Sequence, residues 1–195
     1  MKTLEELLRL DRTIRVIGFD DAPFEKRRGA PVNLAGIVCS QVRFEGMLWG
    51  EIKRDGDGAT DAIIELLGGS KFADQVHLVL TDGLAFGGFN LIDLPRLAEE
   101  LARPCVAVMR KLPDMDAIDR ALSNFEDAER RRDLIARAGE IHHHDPFYFQ
   151  VAGAEPEIVG QALERLTDQG HVPEALRLAH IIGAAIKTGE SSNRA

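Results

Sequence analysis

The apolar positions of the chain form short runs that alternate with amphipathic stretches, a pattern that predicts strands and helices in a mixed α/β order. Residues 2–10 set Leu4, Leu7, Leu8 and Leu10 on one helical face. Arg15 to Asp21 reads as a buried strand, because Val16, Ile17 and Phe19 are strand formers and Pro23 stops the run. Val32 to Ser40 and Val42 to Lys53 read as two more strands, and the polar pair Ser40-Gln41 is so short a link that they form an antiparallel hairpin. Ala62, Ile63, Ile64, Leu66 and Leu67 mark a helix ending at Gly68-Gly69. Gln75 to Leu80 is another apolar strand, about 93–102 a helix, and Cys105 to Met109 a continuous apolar strand. That strand, helix, strand order makes the two strands parallel. Residues 114–138 give two helical stretches with polar faces, Pro146 to Val151 an edge strand, and 155–167 a helix. The last helix opens at Pro173-Glu174, with Pro in its first turn and an acid near the positive helix end.

Candidate chemistry gathers where these strands end. Asp20 and Asp21 close the first strand and Asp82, in Thr81-Asp82-Gly83, closes the strand from Gln75. Two buried strands delivering carboxylates to one sheet edge create a cation site, although an Asp before Ala-Pro also serves to start a turn. If the later strands are parallel, Lys111 ends near Asp82, where it either holds a phosphate or is simply solvated. The loop Arg54-Asp55-Gly56-Asp57-Gly58 offers a third carboxylate. It is not a calcium loop, since Leu66 stands where the twelfth-position Glu is required. The glycines from Gly83 to Gly88 fit neither the dinucleotide fingerprint nor the Walker spacing and imply only a flexible backbone near a substrate. Glu25-Lys26-Arg27-Arg28-Gly29 is a charged loop that meets a phosphate or stays solvated. In His142-His143-His144-Asp145 adjacent rings point to opposite faces of a strand, so a structural or exposed role is expected rather than chelation. By pattern alone His180, on the apolar face of the last helix, is a core group.

Composition narrows this picture. The chain has 195 residues, 45% of them hydrophobic, which suits a single domain over residues 1–195 with a full core. Its formal charge of -8, from 24 basic and 32 acidic residues, argues against binding nucleic acid through a broad basic surface. A narrow basic groove, or a cation bridging acids to a phosphate, remains compatible. Cys39 and Cys105 lie inside apolar runs and are expected as reduced core thiols. Charges interrupt every apolar run before membrane-spanning length, and Glu5 and Glu6 do not fit a secretion signal, so a soluble cytoplasmic protein is expected. Its oligomeric state is left open.

Taken together, Gly18-Phe19-Asp20, Asp82-Gly83, Gly88-Phe89-Asn90-Leu91, Val108-Met109-Arg110-Lys111 and Pro173-Glu174-Ala175-Leu176-Arg177-Leu178-Ala179-His180 stand in one order. The set resembles endonuclease V, and more closely the largely archaeal endonuclease V-like family, from Arg15 to the C-terminus. The resemblance implies a ribonuclease H-like α/β fold, three antiparallel strands followed by parallel ones with helices on both faces. It further implies cleavage of DNA or RNA near deaminated purines with Mg2+ or Mn2+. Carried over by residue, Asp20 and Asp82 are the metal carboxylates, His180 the late helical ligand and Lys111 the lysine near the scissile phosphate. Gly83, Gly88 and Leu91 fall in the segment around the base pocket. The Pro-Tyr-Ile-Pro wedge of the enzyme has no counterpart around Phe44-Glu45-Gly46-Met47. Its Arg-Glu ligand segment is nearest to Arg54-Asp55-Gly56-Asp57, where Asp57 is chosen over Asp55 for lying closer to the helix. A metal-dependent endonuclease is the leading expectation. A non-catalytic nucleic-acid-binding module on the same fold is the alternative, and a nucleotide site in the Gly83 to Gly88 loop a weaker one.

Overall fold

The computed structural model describes residues 2–191. It opens with helix α1 (Leu4–Arg9), started by a reciprocal cap in which the Thr3 side chain accepts from Glu6 N and Glu6 returns a bond to Thr3 N. Strand β1 (Arg15–Asp21) then runs through the middle of the molecule, followed by β2 (Pro31–Ser40) and β3 (Arg43–Lys53), each antiparallel to its predecessor. Helix α2 (Ala59–Gly68) leads to β4 (Leu78–Asp82), a two-residue ribbon β5 (Ala85–Phe86) with β6 (Asn90–Leu91), helix α3 (Leu94–Leu101) and β7 (Cys105–Met109). Helices α4 (Met115–Leu122) and α5 (Ala128–Arg137), strands β8 (His142–His144) and β9 (Phe147–Ala152), and helices α6 (Pro156–Arg165) and α7 (Glu174–Thr188) complete the order.

One seven-stranded sheet, in the order β3-β2-β1-β4-β7-β9-β8, carries the fold. β1 pairs parallel with β4, and β4 parallel with β7. The three antiparallel strands followed by parallel ones are the ribonuclease H-like arrangement expected from the sequence. One local reading needs correction: β9 is not an edge, because β8 pairs with its far side and takes the edge position. The apolar run identifies the strand but carries no information about which segment pairs with its far side.

Alternation along the strands divides the core into two layers. Val16, Leu78, Leu80, Val106 and Val108 join Ala175, Leu176 and Ala179 of α7 on one face. Ile17, Phe19, Val79, Cys105 and Ala107 join Ile63 of α2 and Leu97 of α3 on the other. Since side chains of a strand alternate faces, this parity fixes where each residue at a strand end points. Asp20 and Asp82 continue the α7 layer, whereas Asp21 continues the opposite one.

Gly18 lets α7 lie against the sheet. A Cβ at this position would stand 2.7 Å from the Ala175 carbonyl carbon and 2.8 Å from Leu176 N, too close for any side chain. Gly183 does the same one helical stretch later, where a Cβ would meet Ala22 at 3.3 Å. The helix is thereby pressed down along β1 to the strand end that carries Asp20. Both cysteines are buried and free, and burial pushes the Cys39 thiol up to about 12. Among the described residues no helix is long and apolar enough to cross a membrane.

Candidate metal and base site

The register of β1 on β4 pairs Phe19 with Thr81, so the next residues, Asp20 and Asp82, are neighbours across adjacent parallel strands and share the α7 face. Asp20 is only 6% exposed. Its Oδ2 lies 3.0 Å from His180 Nδ1, while its Oδ1 accepts the Asp21 backbone N–H at 2.8 Å. The Asp20 bond raises the His180 pKa against the opposing effect of burial. Burial, then the charge of Asp20, pushes the Asp82 carboxyl up to about 6, opposed by Arg110 and His180. Arg110 Nη2 approaches Asp82 Oδ2 at 3.9 Å.

Asp21, the second carboxylate at the end of β1, belongs to the same electrostatic cluster. Its Oδ2 accepts the Gly87 N–H at 2.5 Å, tying the glycine loop to the strand end. Burial pushes its pKa up to about 6, and the charges of Asp20 and Asp82 add to the rise. Three carboxylates and an imidazole that feel one another at a sheet edge are a hard oxygen and nitrogen donor set, which fits Mg2+ or Mn2+. Among the described residues no three His, Cys, Asp or Glu side chains are drawn together closely enough to enclose an ion. His180 is turned to Asp20 through Nδ1 and Arg110 to Asp82, so a cation has to displace the Arg110 contact.

Asp57, expected as a third ligand, is held elsewhere. Its carboxylate is 76% exposed and faces Arg130 at 3.6 Å. The reason is the buried guanidinium of Arg131, which donates to the backbone oxygens of Asp55 at 3.0 Å and Gly56 at 3.3 Å, and also to Phe89 O. This pins the loop against α5 and turns Asp57 outward. Asp55, at φ 56°, accepts the Phe89 N–H at 3.0 Å and so shapes the glycine loop. Lys111 is exposed and lies beyond the end of β7. The histidine run scatters as expected: His144 meets Glu164 at 2.9 Å, His143 stacks on Tyr148 and His142 leans on Phe149.

Next to Asp82 a cavity of about 230 Å3 opens. Gly83, Phe89, Leu91, Met109, Ile135 and Gln150 are among its walls. Gly83 and Leu91 are thus at the cavity. Gly88 is not among its lining residues; at φ 91° it packs against the Asp55 carboxylate with no room for a Cβ. Leu112 and Met115, 61% and 46% exposed, stand on the segment that follows β7.

Comparison with known proteins agrees with this architecture. A UPF0215 protein of Methanothermobacter thermautotrophicus is 41% identical over 187 residues, covering 93% of this chain and 92% of its own. The crystal structure of a protein of unknown function from Archaeoglobus fulgidus superposes with a TM-score of 0.83 at 37% identity, over 89% of this chain and 98% of that one. Ciona intestinalis endonuclease V, solved with a 24mer DNA containing an inosine followed by a ribo-adenosine, has a TM-score of 0.55 at 14% identity, over 87% and 84% of the two chains. That likeness establishes the shared ribonuclease H-like fold. The model of the endonuclease dU family matches residues 12–187, and the chain belongs to that family.

Proposed function

We propose that the chain is a divalent-metal-dependent endonuclease that cuts a nucleic-acid strand beside a base lodged in the cavity next to Asp82. The observation that carries the proposal is the convergence of Asp20, Asp82 and His180 on one face at the ends of parallel strands, with an apolar cavity adjoining. Family membership and the fold shared with endonuclease V support a nuclease-like role. The name of the family points to deoxyuridine as the base, and the Ciona neighbour was solved with DNA.

Asp20, Asp82 and His180, with Asp21 adjoining, would hold Mg2+ or Mn2+. The chemistry that the ion supplies when bound is activation of water and stabilisation of charge on the departing oxygen. The protein's own groups do the rest. Asp20 accepts from His180 and orients the ring, as a carboxylate typically does for a histidine ligand. The Arg110 guanidinium, within reach of Asp82, is drawn toward phosphoryl oxygens when the carboxylate is engaged elsewhere. Lys111, exposed beyond the end of β7, gives a further, looser phosphate contact. The cavity walls Gly83 and Leu91 receive an unstacked base between backbone and apolar side chains, as enzymes acting beside a base require. Leu112 and Met115 offer exposed apolar contact to neighbouring bases.

The test is incubation of single-stranded and duplex DNA and RNA, each containing one deoxyuridine, one hypoxanthine or no altered base, with Mn2+, Mg2+ or chelator. Cuts that appear only with the metal, and next to the altered base, are expected. Salt-sensitive binding with no cutting in either metal would instead make the chain a binding module on this fold.

A further inference from the structure

Gln150 is a polar side chain in a wall that is otherwise largely apolar. It lies on β9, paired with Ala107 of β7, and is 4% exposed. Its neighbours in sequence, Phe149 and Phe147, fill the α7 layer, except that alternation turns Gln150 to the opposite side, where the cavity lies. Its Nε2 donates to the Gly139 carbonyl at 2.7 Å. Gly139, at φ 81°, follows the end of α5, so this carbonyl is fixed by the helix terminus. The bond sets the direction of the amide, because reversing it would press Oε1 against a carbonyl oxygen. Among the described residues no hydrogen bond reaches Oε1, and Oε1 is not among the side-chain atoms sealed from solvent without a partner. A fixed acceptor therefore faces the cavity with its valence free.

We propose that Gln150 reads the pairing edge of the base in this cavity, its Oε1 accepting a hydrogen bond from a ring imide N–H. The inference rests on the nuclease reading above and names the base chemistry the site takes. Deamination is the change such an acceptor detects. Cytosine N3 and adenine N1 are acceptors, whereas uracil N3 and hypoxanthine N1 carry a hydrogen. Against cytosine and adenine, Oε1 meets another acceptor, leaving both desolvated and unsatisfied, whereas guanine, like thymine, carries a ring N–H and is left to the shape of the walls to exclude. Against the deaminated ones it meets a donor. Thymine carries the same N–H and differs by its methyl group, so its exclusion falls to the shape of the walls rather than to Gln150.

The experiment measures binding and cutting separately. Fluorescein-labelled single-stranded DNA carrying one dU, hypoxanthine, dC, dA or N3-methyl-dU is titrated with the full chain in Ca2+ and read by anisotropy, and the same strands are incubated in Mn2+. Strands with dU or hypoxanthine should bind about ten- to a hundredfold more tightly than those with dC, dA or N3-methyl-dU, the size of one satisfied against one orphaned hydrogen bond. Gln150→Leu should erase this preference, bringing the affinities for the dU, hypoxanthine and dC strands within about threefold of one another. Equal binding of dU and N3-methyl-dU by the native chain, a comparison that needs no variant, overturns the assignment. An unchanged preference in Gln150→Leu overturns it as well. A preference for dU over hypoxanthine, or the reverse, identifies which deaminated base is taken. If the preference persists without any cutting in Mn2+, base reading by Gln150 is supported and the nuclease chemistry is what fails.

Discussion

His180 Nδ1 lies 3.0 Å from Asp20 Oδ2, joining positions 160 residues apart in the chain. The contact exists because Gly18 and Gly183 let α7 lie directly on β1. It also has a sign in pH. A histidine whose pKa is raised on folding contributes stability that is fully present below its unfolded value and is lost as pH rises through the higher folded value. His180→Gln should therefore cost metal-free protein about 1 kcal/mol near pH 5 and almost nothing near pH 9. Thermal denaturation with chelator at the two pH values measures it. An equal loss at both would mean that the ring charge contributes nothing.

Asp82 behaves in the opposite sense. Its folded pKa of about 6 lies above the ordinary 3.8, so its ionisation opposes folding at neutral pH. That opposition fades as pH falls from about 6 towards 3.8. Asp82→Asn should raise the stability of metal-free protein at neutral pH by on the order of 1 kcal/mol, roughly 2–4 °C for a chain of this size. Near pH 4 the gain should shrink towards zero. The same variant should lose metal-dependent cutting and the stabilisation that Mn2+ gives the native chain. Unchanged turnover in a folded Asp82→Asn protein would remove Asp82 from the site.

How far the sequence alone reaches can be read from these residues. Asp20 and Asp82 are legible as candidates because buried strands run into acids, but the connection lengths make only β4 and β7 parallel, and the pairing of β1 with β4 that brings the two acids side by side carries no local signal. His180 carried no signal of its own beyond resemblance, since a histidine on an apolar helix face is ordinarily core. Asp57 was placed by proximity to a helix. The staple that turns it away is Arg131, one cation of a run that reads as solvated surface, and its targets are backbone oxygens with no side-chain signature. Gln150 was hidden for a similar reason. A strand taken for an edge gives no cause to expect a buried amide, and the partner that holds it, the Gly139 carbonyl after α5, is a backbone group with no side-chain signature.

Gly18 offers a test that touches no charged group. Gly18→Ala places a methyl where the backbone of Ala175 and Leu176 already stands. The helix must lift, at a cost of about 1–3 kcal/mol, and His180 moves off Asp20. Both the melting temperature and the affinity for Mn2+ should fall, with the base preference of the cavity on the other sheet face kept. A variant that melts like the native chain would show that α7 does not depend on this close approach.

Arg110 and Lys111 are adjacent cations just beyond the end of β7. Arg110 reaches Asp82 at 3.9 Å. Lys111 lies exposed one residue further on. If the phosphate sits at the acidic cluster, Arg110→Ala should slow cutting by about ten- to a hundredfold, the range of a charge-assisted hydrogen bond of 1.5–3 kcal/mol. Lys111→Ala should change it less than about threefold, while lowering the salt dependence of binding by up to one counterion. Removing Arg110 also takes away the cation that opposes the rise of the Asp82 pKa. The acidic limb of the pH-rate profile should then move to higher pH in Arg110→Ala and stay in place in Lys111→Ala. The reverse pattern, with Lys111 dominant, would mean that the segment after β7 rearranges on binding substrate and that the approach of Arg110 to Asp82 does not mark the phosphate contact.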